Sequence, residues 1–238
     1  MEKIQIFVVF HKYIFDGCYS AIPDDVLYKY FTFIAVNKNI EKKYTPNRYK
    51  VINEWELPIY DNKFQERGYN ENSAIYHIYA NDLHKEYDYI GFFQYDMIFK
   101  ENIINLIQTH VTSTPINFYF NSYDFNFCSY DTWNEPDTLE YIIKDYEKFF
   151  NTSFNKSYKF PLYNSYIIPT NLYKKIMKWV IQLYDKLYPW CINPPNMGHF
   201  GHIGGIYERI MAYAIGSENL QNINLNIAHD INLKNISY

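Results

Sequence analysis

Short apolar segments recur along the chain and predict the strands of a buried sheet. The first, residues 4–9, ends at the polar pair His11-Lys12, as a central strand does when it reaches the edge of its sheet. Residues 31–36 predict a second strand, and residues 87–93 predict another that stops at Gln94-Tyr95-Asp96. Further strands are predicted over residues 116–120 and 163–168.

Apolar residues at helical spacing lie between these strands. Residues 70–84 predict the first long helix, with one apolar stripe and with Asn70 or Asn72 as its N-cap. Thr170 is the predicted cap of a later helix. Residues 37–67 are mostly polar, and Pro46 and Pro58 interrupt them, so they predict a loop with little regular structure. The other helices are predicted over residues 101–110, 138–150, 171–188 and 206–215.

The alternation of strands and helices predicts an α/β fold of the Rossmann-like kind. We expect a mixed, mostly parallel central sheet with helices on both faces. The length of 238 residues and the 48% share of hydrophobic residues fit one domain, over residues 1–238, better than two.

Composition and charge narrow the possible functions. The net charge of -4 gives no global positive field, which disfavours binding to extended nucleic acid. Cys18, Cys128 and Cys191 are widely spaced and odd in number, so they suggest neither a disulfide framework nor a zinc knuckle and favour a cytoplasmic location. We expect no transmembrane segment, since the apolar start of the chain is too short to span a bilayer. The 21% aromatic share suits stacking on sugars and bases, although AT-rich codons would also produce it.

Two groups of polar residues follow predicted strands, where ligands bind in a doubly wound sheet. They are His11-Lys12 and Gln94-Tyr95-Asp96. A carboxylate at position 96 could hold a divalent cation that neutralises a nucleotide diphosphate. The alternative is that Asp96 only caps a turn.

Several blocks of the sequence carry a resemblance to a known family. They read IFVVFHK at residues 6–12, YNE at 69–71, YHIYAN at 76–81, DYIG at 88–91, QYDMIF at 94–99 and GGIYER at 204–209. In these blocks the chain resembles bacterial and viral glycosyltransferases of the capsular polysaccharide synthesis type, which have compact GT-A-like domains. The middle blocks are the most specific, and the match weakens after Gly91.

The resemblance implies transfer of a sugar from a nucleotide-sugar donor, by preference a UDP-sugar, to a glycan acceptor in polysaccharide or glycoconjugate synthesis. Residues 1–99 would form the donor half of the domain and residues 100–238 the acceptor half. Gln94 and Asp96 stand where the family has a histidine and an arginine, and this segment looks like a degenerate Asp-x-Asp motif. We therefore expect manganese or magnesium on Asp96, with His199 and His202 as the next candidate ligands and His229 behind them. A flexible surface loop would also explain the first two histidines.

The resemblance also assigns residues to the donor, while the acceptor residues follow from position in the sequence alone. Phe10 and His11 would border the nucleobase, and Asn70, Tyr76, Gln94 and Tyr95 would line the donor pocket. Tyr76 could equally be a core residue. Asp124, Asp131, Trp133 and Glu135 lie in a polar, aromatic segment that suits an acceptor sugar.

Glu208 follows two glycines at a predicted helix start and is the candidate base for the acceptor hydroxyl. Pairing with Arg209 is the alternative role of this carboxylate. For the whole chain, the alternative function is a non-catalytic nucleotide- or carbohydrate-binding module derived from a transferase. Phosphoryl transfer ranks last, because it needs clustered carboxylates for two metal ions.

Overall fold

The computed structural model of the protein describes residues 3–111, 114–126, 136–191 and 203–233. Seven strands form the central sheet in the order β3-β2-β1-β4-β7-β6-β8, and β5 pairs with β9 beside it. Within the described part of this sheet, β7 runs antiparallel to β4 and β6 while the other strands share one direction. The strands are β1 (Ile4–Phe10), β2 (Phe31–Ala35), β3 (Val51–Asn53), β4 (Tyr89–Gln94), β5 (Met97–Phe99), β6 (Ile116–Tyr119), β7 (Tyr166–Pro169), β8 (Gln221–Asn224) and β9 (Ile227–His229).

Helices cover both faces of the sheet, which confirms the predicted α/β fold. They are α1 (Asp24–Tyr30), α2 (Lys63–Glu66), α3 (Glu71–Ala80), α4 (Ile103–His110), α5 (Pro136–Phe150), α6 (Thr170–Cys191) and α7 (Ile203–Ser217). Side chains of a strand alternate between its faces, so Phe7 and Val9 pack with α3, α6 and α7 while Ile6 and Val8 pack with α1 and α4. None of the described helices has the length and apolar character that a bilayer span requires.

The segment 37–67 is more regular than its sequence predicts. It contains β3 and α2, and β3 extends the parallel sheet beside β2, with Ile34 opposite Ile52. The prediction of a loop with little regular structure missed β3, because a strand of three half-buried residues is too short to show a periodic pattern.

The predicted helix caps are also wrong. Asn70 occupies the N-cap position of α3 with a left-handed φ of 53°, and its side chain makes no capping hydrogen bond there. Asn72 donates its amide to the carbonyl of Gly204 instead. Thr170 is the first residue of α6, and its hydroxyl has no hydrogen-bond partner among the described residues.

Gly204 allows α7 to begin against the start of α3. A β-carbon at this position would lie 2.9 Å from Nδ2 of Asn70 and 3.1 Å from the carbonyl oxygen of Gly68, so a side chain here would require these neighbours to shift. The contact places Asn70 where the two helices meet, and its role in donor binding stays a prediction.

Candidate active site

The parallel pairing of β1 with β4 brings two predicted site segments together. Val9 lies opposite Gln94 in this ladder, so His11 and Tyr95 leave the same edge of the sheet on neighbouring strands. The His11 and Tyr95 rings meet edge to face, with centroids 6.1 Å apart. Both side chains are buried. The carboxyl edge of the sheet therefore holds the residues that the sequence singled out at strand ends.

His11 joins three elements of this edge. Its Nδ1 lies 2.7 Å from Nδ2 of Asn37, which follows β2, and its Nε2 lies 3.7 Å from Oε1 of Glu71, the first residue of α3. With 1% of its surface exposed, the imidazole is held in one orientation by these contacts. The polar groups after β1 and β2 and at the start of α3 therefore form one connected set.

Asp96 lies in the turn between β4 and β5 and faces His229. The pairing of β5 with β9 sets Met97 opposite His229, and this register brings the histidine to the neighbouring carboxylate. Nε2 of His229 lies 3.0 Å from Oδ2 of Asp96. Asp96 is 2% exposed, and its Oδ1 has no hydrogen-bond partner in the described ranges.

The Asp96 and His229 side chains fit a divalent cation. Carboxylate oxygen and imidazole nitrogen are both ligands of manganese, and an ionised oxygen buried without a partner is costly unless a cation or donor meets it. The described residues include no group of three His, Cys, Asp or Glu side chains that could hold a metal. A cation at this pair would complete its shell with water, ligand phosphates and the amide oxygen of a nearby residue such as Gln94. His199 and His202 lie outside the described residues.

Asn164 is a polar residue at this edge that the sequence analysis did not identify. It is 2% exposed, and in the described structure neither Oδ1 nor Nδ2 forms a hydrogen bond. Asn164 lies two residues before β7, whose first residue, Tyr166, pairs with Phe92 of β4. Buried amides are normally hydrogen-bonded, so this one is available to a ligand.

The backbone at Asn164 is unusual as well. Tyr163 and Asn164 are both left-handed, with φ angles of 60° and 44°, and such strain in non-glycine residues concentrates at functional sites. The Tyr163 ring lies 4.9 Å from that of His229. The strained pair therefore links the start of β7 to the candidate metal ligands. The sequence predicts a strand over residues 163–168, and the asparagine near its start is the one available signal.

Glu208 forms an ion pair with its neighbour in the chain. Its Oε1 accepts a hydrogen bond from Nη1 of Arg209, and both residues are at most 9% exposed. Helix α7 begins at Ile203, so Glu208 lies in the second turn and not at the helix start that the sequence predicts. Burial and the charge of Glu208 together raise the pKa of Tyr166. Pairing with Arg209 was the alternative role of Glu208, and its role as a base stays a prediction.

Phe10 and Tyr76 are aromatic residues with protein partners. Phe10 is fully buried, and the half-exposed ring of Tyr44 meets it edge to face. Tyr76 stacks on Phe64 with centroids 4.2 Å apart and contacts Tyr184. Core packing accounts for both rings, and their contacts with a donor stay predictions.

The candidate acceptor segment is described only in part. Asp124 is exposed and forms an ion pair with Lys159. Asp131, Trp133 and Glu135 lie outside the described residues.

Cys18 lies beside the candidate site and is expected to resist alkylation. Burial, followed by the charges of Asp96 and Asp230, raises the pKa of its thiol from 9.0 to about 12, which lowers the thiolate fraction about a thousandfold. Peptide mass spectrometry after iodoacetamide treatment at pH 8 should find Cys18 unmodified in the native protein and modified in urea. Equal modification in both states would contradict the buried position of this thiol.

No model of a known protein family matches the sequence, and no curated protein matches it significantly. Among solved structures, the chain is similar to the apo form of WbbM, a bifunctional glycosyltransferase, with a TM-score of 0.63 and 15% identity. The match covers 96% of this chain and 45% of that one, so this chain spans less than half of the length of WbbM. A second match is the galactosyltransferase LgtC in complex with donor and acceptor sugar analogues, with a TM-score of 0.41, 10% identity and coverage of 92% and 73%. The likeness to WbbM shows that the chain has the fold of a glycosyltransferase.

Proposed function

We propose that this chain is a glycosyltransferase that moves a sugar from a nucleotide-sugar, by preference a UDP-sugar, to a glycan acceptor. The proposal depends on the pair formed by Asp96 and His229. One carboxylate oxygen of this pair is buried and has no hydrogen-bond partner among the described residues. It lies at the edge of the sheet where ligands bind in this kind of fold, and the fold is that of a glycosyltransferase. Residues 1–99 would bind the donor, and residues 100–238 would receive the acceptor.

Each polar group at this edge has a role in the proposal. Asp96 and His229 bind a manganese or magnesium ion, which when bound supplies positive charge to the diphosphate as the sugar departs. Gln94, which pairs with Val9 at the end of β4, would offer an amide to the same ligand in place of a carboxylate. His11 and Tyr95 hold the nucleoside side of the donor against the ends of β1 and β4.

Local positive charge at this edge supports an anionic donor despite the net charge of -4. Lys12 and Lys43 place their ammonium groups 5.1 Å and 6.0 Å from the centre of the Tyr13 ring. A backbone hydrogen bond of 2.7 Å from the amide of Lys43 to the carbonyl of Lys12 holds the two segments together. The Lys12 cation beside an aromatic ring suits a ligand that combines phosphate with a base, whereas Nζ of Lys43 also lies 3.7 Å from a carboxylate oxygen of Glu41.

A thermal-shift screen of nucleotide-sugars tests this function. Bound donor stabilises the fold by mass action, so we expect at least one nucleotide-sugar to raise the melting temperature, and to raise it further when manganese is present. The matching free sugar serves as a control and should have no effect. A broad panel in which no nucleotide or nucleotide-sugar stabilises the protein would contradict the proposal.

One observation favours the alternative of a non-catalytic binding module. Arg209 engages the carboxylate of Glu208, the candidate base. Hydrolysis of the donor separates the two functions, because an active transferase slowly releases its sugar to water. Donor binding without any release of sugar or transfer to glycans would favour the binding module.

The Asn164 amide should recognise hydroxyl groups of the transferred sugar. The variant Asn164→Gly keeps the left-handed backbone and removes the amide, so we expect kcat/KM for the nucleotide-sugar to fall by about 10- to 100-fold, as for one or two lost hydrogen bonds. The affinity for UDP alone should not change. Asn151→Gly is the control, since Asn151 is also left-handed but exposed. An unchanged kcat/KM in Asn164→Gly would rule out this role.

A further inference from the structure

We infer that Lys42 is a positioning residue of the donor site, because its ammonium group fixes the loop after β2 in the shape that lets Asn37 hold the imidazole of His11. The inference rests on the proposed function for its effect on the donor. It concerns a residue that touches none of the candidate metal or sugar ligands directly.

The ammonium group of Lys42 faces backbone carbonyl groups of its own loop. Nζ donates hydrogen bonds of 2.7 Å to the carbonyl oxygens of Asn37 and Ile40, and it lies 5.2 Å from the centre of the Trp55 ring. This partial burial lowers the pKa of the lysine to about 8, which leaves most of the group charged at pH 7. Lysine ammonium groups usually extend into water. The ammonium group of Lys42 instead contacts two carbonyl oxygens of its own loop and the Trp55 ring, and these contacts hold the loop in one conformation.

Asn37 is the residue whose backbone conformation Lys42 stabilises. Its φ of 61° is left-handed, which is uncommon outside glycine and persists when surrounding contacts hold it. On one side the amide of Val36 donates to the carbonyl of Phe10, and on the other the carbonyl of Asn37 itself accepts hydrogen bonds from the amide of Ile40 and from Nζ of Lys42. Between these two anchors the Asn37 side chain reaches Nδ1 of His11 at 2.7 Å.

His11 connects the loop after β2 to the candidate donor site. Asn37 sets the Nδ1 side of the buried ring, the Nε2 side faces Glu71 on α3, and Tyr95 meets the ring edge to face. A hydrogen bond to one ring nitrogen fixes which nitrogen of a histidine carries the proton and how the ring is turned. Lys42 therefore acts on the donor through Asn37 and His11, and its loss should weaken binding without slowing the chemical step.

Steady-state kinetics of Lys42→Met tests the inference. We expect the KM for the nucleotide-sugar to rise about tenfold, the size of one lost charge-assisted hydrogen bond, while kcat stays within about twofold. Lys42→Arg keeps a charged donor and should restore most of the affinity. Lys38→Met is the matched control, because Lys38 is exposed in the same loop and should leave the KM unchanged. An unchanged KM in Lys42→Met, or a fall confined to kcat, would overturn the inference.

Asn37→Gly provides a second variant that leaves Lys42 intact. Glycine accepts the left-handed backbone but has no amide for His11, so this variant should show the same rise in KM. Nitrogen-15 NMR shifts of the His11 ring should change in both variants and not in Lys38→Met. If the wild-type protein binds no nucleotide-sugar, the proposed function fails. If it binds one and the His11 shifts are the same in wild type and Lys42→Met, the positioning role fails on its own.

Discussion

Replacing Asp96 by alanine is expected to lower the rate of sugar transfer by about 10²- to 10³-fold, the range of several kcal/mol of lost metal assistance. The variant should also lose its response to manganese, because the oxygen that faces His229 and Oδ1, which has no partner among the described residues, belong to the same carboxylate. Transfer to a glycan acceptor, followed over a manganese titration, measures both effects.

Asp230→Ala is the control for this variant. Asp230 bonds to the turn through its backbone amide, which donates to the carbonyl of Asp96, while its carboxylate accepts hydrogen bonds from Asn232. The control should therefore keep manganese activation. His229→Ala should match Asp96→Ala, and the double variant should be little worse than either, as expected of residues that act as a unit. Full manganese activation in Asp96→Ala would contradict the assignment.

Replacing Glu54 by alanine is expected to lower the free energy of unfolding by about 2–4 kcal/mol, because several hydrogen bonds to one buried carboxyl group are lost together. The Glu54 carboxylate is fully buried and accepts hydrogen bonds from Ser73 Oγ at 2.5 Å, from His77 Nδ1 at 2.9 Å and from Gln65 Nε2 at 2.8 Å. The amide of Asp61 donates to the other ring nitrogen of His77, so Nδ1 is the nitrogen that carries the proton. The variant would take this acceptor from the Ser73 hydroxyl and the Gln65 amide, while Nδ1 of His77 would keep the carbonyl oxygen of Ser73, which lies 2.9 Å away.

Urea denaturation measures this effect on stability. Glu56→Ala is the matched control, since Glu56 lies in the same short helix and is exposed, and it should change stability by no more than about 0.5 kcal/mol. A difference below about 1 kcal/mol between Glu54→Ala and the wild type would contradict the structural role of the network. The network fixes the segment from β3 to α2 onto α3, at the back of the candidate donor site.

The sheet and its functional edge could be predicted from the sequence because the central strands are continuous apolar segments that end in polar residues. β1 and β4 are such segments, and their parallel pairing brings His11 and Tyr95 together as expected. β5 and β9 could not be predicted, since a strand of three residues shows no period and forms only when a distant segment pairs with it.

The pairing of Asp96 with His229 could not be predicted from the sequence either. In the sequence His229 came after His199 and His202 as a candidate ligand, because its approach to a residue 133 positions away depends on the pairing of β5 with β9. Asn164 was missed for a similar reason. Its lack of a partner among the described residues is a property of its packing, which no local pattern of residue types reveals.

Calorimetric titration of UDP into the wild-type protein, with and without manganese, tests most directly whether the edge of the sheet beside Asp96 and His229 is a metal-assisted nucleotide site. The account predicts that UDP binds and that manganese tightens the binding at least tenfold, a gain of about 1.4 kcal/mol. Equal affinity in the two titrations, or no heat of binding in either, would contradict it.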